Sequence, residues 1–71
     1  MPRQTIERNS RRIIRRLEAE GWIFEKAEGS HHKFRHPARK FAIIVPHSKK
    51  DLPTGTARAI ARSAGWLGET E

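Results

Sequence analysis

A short stretch in the middle of the chain, GSHHKFRHP, constrains the fold more than any other feature of the sequence. Its Gly29-Ser30 pair is typical of a tight turn, and the residues that follow alternate as in a strand with one buried face. Phe34 is the large apolar residue of this strand, so we expect it to point into the core together with the face that carries His32 and His36. The opposite face would then carry one imidazole and two cations, on His31, Lys33 and Arg35.

Two further apolar runs and two amphipathic patterns surround this strand. WIFEK at residues 22–26 and FAIIV at residues 41–45 are typical of strands, with turns at 27–30 and 37–40. Apolar residues at positions 6, 13, 14 and 17 favour a helix over residues 5–20, although Ser10 as well as Thr5 could cap its start. A second helix is predicted from Pro53 or Thr54 to about residue 64, where a glycine follows.

This order predicts an α+β fold class, a compact αβββα domain. Short turns favour an antiparallel three-stranded sheet, and two helices can cover only one of its faces. The 71 residues are predicted to form a single domain, with residues 1–10 as a leader and residues 68–71 as a loose tail. A chain of this size buries only about 60% of its unfolded surface, so we expect a shallow site suited to a large substrate.

The chain is strongly basic, with a formal charge of +7, which favours a polyanionic partner such as nucleic acid. Anionic lipid and acidic proteins are the competing partners. Residues 21–50 alone carry seven basic and two acidic residues. The absence of cysteine excludes disulfides and thiolate chemistry. No apolar run approaches the ~18 residues of a membrane span and no secretory signal pattern is present, so a cytoplasmic location is predicted.

His31 is the candidate for proton transfer, because imidazole changes its charge near neutral pH. A neutral imidazole could take the proton of an RNA 2′-hydroxyl, whose oxygen would then attack the adjacent phosphorus. Ser30 could orient the imidazole or bind a phosphate, and Gly29 would let a backbone approach closely. Lys33 and Arg35 could stabilise the charge that develops on the phosphate oxygens. A surface role without chemistry stays open for all the histidines.

The run PHSKKDLPTGT, at residues 46–56, is a second candidate for phosphate contact. His47, Lys49 and Lys50 precede a predicted helix N-terminus, whose amides attract anions. Thr54 is small and polar at the start of that helix and would also admit a backbone. An ordinary capped helix start is the alternative interpretation.

No metal cofactor is predicted, although four histidines are present. His31 and His32 would face opposite sides of a strand, and His32 and His36 would lie about 13 Å apart along it. No carboxylate stands close to them in the sequence, so no cofactor of any kind is expected.

Taken together, LEAEGW, GSHHKFRHP and IIVPHSKKDLPTGTARAIARSAGW resemble the HicA family, the mRNA-interferase toxins of HicAB toxin–antitoxin pairs. The resemblance covers roughly residues 11–67. It implies a fold like that of a double-stranded RNA-binding domain, cleavage of mRNA without the ribosome, and an antitoxin partner of HicB type. The family's catalytic histidine follows Gly-Ser and corresponds to His31.

The function predicted from these observations is that of a metal-independent endoribonuclease toxin with His31 as general acid and base. Its antitoxin is expected to be acidic at the contact surface, because opposite charge speeds association. The first alternative is a non-catalytic RNA-binding module that uses the same basic face. The second is a plain interaction domain.

Overall fold

The computed structural model of the protein describes residues 6–47 and 49–67. Five elements follow one another within them, namely α1 (Ser10–Ala19), β1 (Ile23–Glu28), β2 (His31–Arg35), β3 (Ala42–Pro46) and α2 (Thr54–Ala64). The strands form one antiparallel sheet in the order β1-β2-β3. The predicted αβββα order and the α+β class are therefore confirmed. Neither helix in these residues is long and apolar enough to cross a membrane.

Helix α1 begins later than the sequence predicted. Asn9 is its N-cap, because the Oδ1 atom of Asn9 accepts a hydrogen bond from the Arg12 N–H at 3.1 Å. Residues 6–9 are not helical, and residues 1–5 lie outside the described part of the chain, so the prediction of a helix from residue 5 is wrong. Ser10 lies inside the helix and is fully buried. Its hydroxyl accepts a hydrogen bond from the Lys49 N–H instead of capping the helix.

The hairpin between β1 and β2 is tighter than expected. Glu28 pairs with His31, so the turn contains only Gly29 and Ser30, and Gly29 has a φ of +60°. The predicted turn over residues 27–30 was too long by two residues. The register also shifts between Phe24 and Lys26, which leaves a bulge at residue 25 in β1.

The side chain of His36 makes the contacts that fix the loop between β2 and β3. The Nδ1 atom of His36 accepts a hydrogen bond from the Ala38 N–H at 2.9 Å, so its Nε2 atom carries the proton and donates to the Glu20 carbonyl, also at 2.9 Å. The imidazole also packs edge-on against Trp22. His36 therefore has a structural role at the C-terminal end of α1.

The core lies between the helices and one face of the sheet. Phe34 is 1% exposed, which confirms the face assigned to it from the sequence. In β3, Ile43 and Val45 are buried while Ile44 is 52% exposed. The remaining members of the core come from both helices and their flanking residues, and are Ile13, Leu17, Trp22, Leu52, Ala57, Ile60 and Ala64. The second face of the sheet is open, as predicted.

Candidate active site at one end of the sheet

Residues from both sequence motifs meet where β2 begins and β3 ends. His31 lies opposite Pro46 in the sheet register, and the N–H of His47 donates to the Ser30 carbonyl at 2.6 Å. We call this region the imidazole end, defined by Ser30, His31, His32 and His47. The sequence placed these residues in two separate motifs, and strand pairing is what brings them together.

His31 is exposed on the open face of the sheet, where the strand alternation predicted it. It lines a groove of about 120 Å³ together with the neighbouring cations and Ile44. The other lining residues are Lys26, Glu28 and Lys33. His31 is therefore accessible to a large substrate, and its part in proton transfer stays a prediction.

His32 and His47 form the closest imidazole contact of the site. Their rings are parallel within 7° and their centroids are 4.3 Å apart. The ring of Phe24 packs against His32 at 5.4 Å between centroids. Both histidines are half-buried. Two adjacent imidazoles can supply a proton acceptor and a proton donor at the same place.

The stacked pair opens into a cavity of about 350 Å³ on the helix-covered side of the sheet. Its other lining residues are Glu18 of α1, which contributes a carboxylate, and the apolar Ile14, Phe24 and Phe34. Sequence reasoning placed His32 on this face but missed its contact with His47. No local pattern could have revealed the contact, because it joins the start of one strand to the residue after another.

The cations of the open face are matched by carboxylates. The Nε atom of Arg35 lies 2.8 Å from Glu25 Oε1, and the Nζ atom of Lys33 lies 3.9 Å from the same oxygen. Lys26 pairs in the same way with Glu28 at 3.3 Å. Such exposed pairs contribute only about 0–1 kcal/mol, so a polyanion can compete for them. Binding of RNA by Lys33 and Arg35 stays a prediction.

Lys49 and Lys50 lie beside the start of α1. With Asn9 and Arg11 they line a groove of about 170 Å³, which we call the cation groove. The sequence nominated both lysines but named no arginine of α1 as a binding residue. Arg11 is thus a candidate binding residue that sequence reasoning missed.

Thr54, the last nominated residue, is exposed at the first position of α2. It lines neither the groove beside His31, nor the cavity of the stacked pair, nor the cation groove. The Cβ that an alanine would add at Gly29 would meet no atom within 4 Å, so the turn is open to an approaching backbone. Among residues 6–47 and 49–67, no three histidine or carboxylate side chains converge in a way that could hold a metal ion.

The sequence model of a protein family described as the HicA toxin of bacterial toxin–antitoxin systems matches residues 10–66. The matched region begins at the first residue of α1 and contains all five elements, the imidazole end and the cation groove except for Asn9. A comparison with individual curated proteins found no match. Since the family match extends over most of the chain, from α1 to Trp66, the protein belongs to the HicA family of toxins from bacterial toxin–antitoxin systems.

Proposed function

We propose that this HicA-family toxin is a metal-independent endoribonuclease that cleaves mRNA in the cytoplasm. The observation that carries the proposal is the stacked contact of His32 and His47, with His31 at the same end of the sheet. The net charge of +7 supports a polyanionic substrate. The exposed grooves on both sides of this end of the sheet support a substrate that is large.

The proposed reaction uses the nucleophile that RNA itself carries. The 2′-oxygen forms a bond to the adjacent phosphorus while the bond from phosphorus to the 5′-oxygen breaks. A base takes the proton of the 2′-hydroxyl, and an acid gives a proton to the departing 5′-oxygen. The products are a 2′,3′-cyclic phosphate and a 5′-hydroxyl. Each proton transfer by a positioned group typically contributes about 10²–10⁴-fold in rate.

Two assignments of the proton-transfer groups are proposed. In the assignment based on the sequence, His31 is the base, with Ser30 beside it in the chain and the cations of Lys26 and Lys33 in the same groove. In the second, His32 and His47 act together as base and acid. The geometry supports the second better, because it brings two imidazoles into contact, one of which could accept a proton while the other donates one.

Cleavage of labelled single-stranded RNA by the purified protein in EDTA tests the function. We expect cut products that end in a 2′,3′-cyclic phosphate by mass spectrometry, and no cut where the 2′-hydroxyl of the scissile nucleotide is removed. RNA binding without cleavage would instead identify a non-catalytic RNA-binding module. Activity that is lost in EDTA and restored by a divalent ion would exclude the metal-independent reaction.

Membership of a toxin–antitoxin family implies an antitoxin partner. We further propose that this partner is of HicB type, presents an acidic surface and covers the imidazole end. Acidic groups would complement the lysines that follow His47, and opposite charge would speed the encounter. Covering the imidazoles would exclude RNA directly.

A further inference from the structure

We propose that the cation groove binds a backbone phosphate of the RNA next to the one that is cleaved. The inference rests on the proposed function for the identity of the ligand, but it concerns binding and not the chemical step. The groove is lined by Asn9 and by three cations from two separate elements, Arg11 of α1 and Lys49 and Lys50 of the loop before α2.

The cations of the groove differ from most other cations of the site in having no carboxylate partner. Within the described residues, Arg11, Lys49 and Lys50 form no ion pair. By contrast, Lys33 and Arg35 share Glu25, and the charge of that face is partly cancelled. Positive charge that converges raises the local concentration of anions, and the carboxylates nearest in the chain, Glu7 and Asp51, bond to the Asn9 N–H and to Arg8 instead. The groove therefore offers the stronger attraction for a phosphate.

The shape of the groove is fixed by contacts beneath it. The Lys49 N–H donates to the Ser10 hydroxyl at 2.8 Å, and the Ser10 N–H donates to the Lys49 carbonyl at 2.9 Å. Ser10 is buried and directly precedes Arg11. These two bonds hold the loop against the start of α1, so Arg11 and the two lysines are kept in one groove.

Side chains are the main donors, because the Ser10 and Arg12 N–H groups at the start of α1 already donate to the Lys49 carbonyl and to Asn9 Oδ1. Arg11 has five N–H donors in a planar fork, and each lysine has three. A tetrahedral phosphate has several oxygens that can accept from Arg11 and the lysines at once, which an uncharged ligand of similar size would not match.

The groove lies close to the imidazole end but contains no imidazole. Lys49 follows His47 by two residues, so their Cα atoms are separated by at most about 7.6 Å. No histidine is among the residues that line the groove. A phosphate bound there is thus displaced from the groups that transfer protons. It corresponds to a neighbouring linkage of the same strand.

The test compares two charge-neutralising variants of adjacent exposed arginines, Arg11→Gln and Arg12→Gln. Arg12 is on the same turn of α1 but does not line the groove. The probe is a 2′-O-methyl oligonucleotide, which carries phosphates but has no nucleophile and cannot be cut. Its affinity is measured by fluorescence anisotropy between 50 and 200 mM salt, and circular dichroism checks that both variants are folded.

Each phosphate contact contributes about −0.7 to the log–log dependence of affinity on salt for a single strand. We expect the slope of Arg11→Gln to be shallower than that of Arg12→Gln by up to about 0.7, so that its affinity falls by up to roughly 2.6-fold less over the fourfold range of salt. Lys50→Gln should behave like Arg11→Gln.

Equal slopes for the two arginine variants would overturn the inference, and so would an absence of binding by the wild-type protein. Cleavage of ordinary RNA by the wild-type protein is measured separately. Binding through the groove without cleavage would reject the proposed function alone. Cleavage with equal slopes would reject the groove alone.

Discussion

The Nε atom of Arg35 lies 2.8 Å from the Oε1 atom of Glu25 across the first two strands of the sheet. Glu25 occupies the bulge of β1 and also approaches Lys33, so one carboxylate faces two of the cations nominated for RNA binding. The Glu25 carboxylate therefore competes with phosphate for the cations of the open face. Its contribution to binding can be measured by removing that carboxylate.

Replacing Glu25 by glutamine is expected to strengthen RNA binding. Exposed ion pairs contribute about 0.2–1 kcal/mol, so releasing Lys33 and Arg35 should raise the affinity for a 2′-O-methyl oligonucleotide roughly 1.4- to 5-fold. Glu20→Gln is the matched control, because it changes the net charge equally and also releases an arginine, Arg16, but at the C-terminal end of α1. Equal effects of the two replacements would show that the open face makes no specific contact with RNA.

Removal of the imidazole that acts as the base is expected to lower the cleavage rate by about 10²–10⁴-fold. From the stacked geometry we expect this loss for His32→Ala and for His47→Ala, and a smaller loss for His31→Ala. Single-turnover cleavage measures the rate, while circular dichroism and binding of the uncleavable oligonucleotide check that each variant is intact. A full loss confined to His31→Ala would transfer the role of base to His31.

Ser10→Ala is expected to destabilise the domain by about 0.5–1.5 kcal/mol, because the part-buried hydrogen bond from the Lys49 N–H to the Ser10 hydroxyl would be lost. Ser63→Ala removes the same hydroxyl from an exposed position of α2, where a change within about 0.5 kcal/mol is expected. Urea unfolding measures both variants. Similar stabilities would mean that the hydroxyl bond under the loop contributes nothing measurable.

The antitoxin is expected to compete with RNA. Isothermal titration of the HicB-type partner should give a weaker apparent affinity for toxin saturated with the 2′-O-methyl oligonucleotide than for free toxin. Neutralising Lys49 and Lys50 together should lower the association rate constant, since opposite charges speed the encounter of toxin and antitoxin. An affinity that RNA does not alter would place the antitoxin on another surface and make inhibition indirect.

Strand alternation predicted which side chains of β2 are buried, and it did so because a single residue decided the question. Phe34 is the one large apolar side chain of that strand, and its burial assigns every neighbour to a face. The end of α2 was also predictable from the sequence, since Gly65 adopts a left-handed conformation with a φ of +81° that ends the helix. Both results depend on local chemistry alone.

The start of α1 and the grouping of the histidines depend on contacts between distant residues. Ser10 is an acceptable N-cap, but its hydroxyl bonds to Lys49 and the neighbouring Asn9 caps the helix instead. The bulge in β1 leaves residue 25 without a partner in the register, and nothing in WIFEKAEG indicates it. His47 was expected in a polar loop, and only the folded sheet places it against His32.

The paired hydrogen bonds between Ser10 and Lys49 also have a thermodynamic consequence. A flexible loop must lose backbone entropy when it orders around a ligand, at about 1–2 kcal/mol for each residue that becomes fixed. At Lys49 that ordering is complete when the domain folds. Nucleic acid arriving at this part of the surface therefore meets cations whose backbone is already in place, and more of the interaction energy remains as affinity.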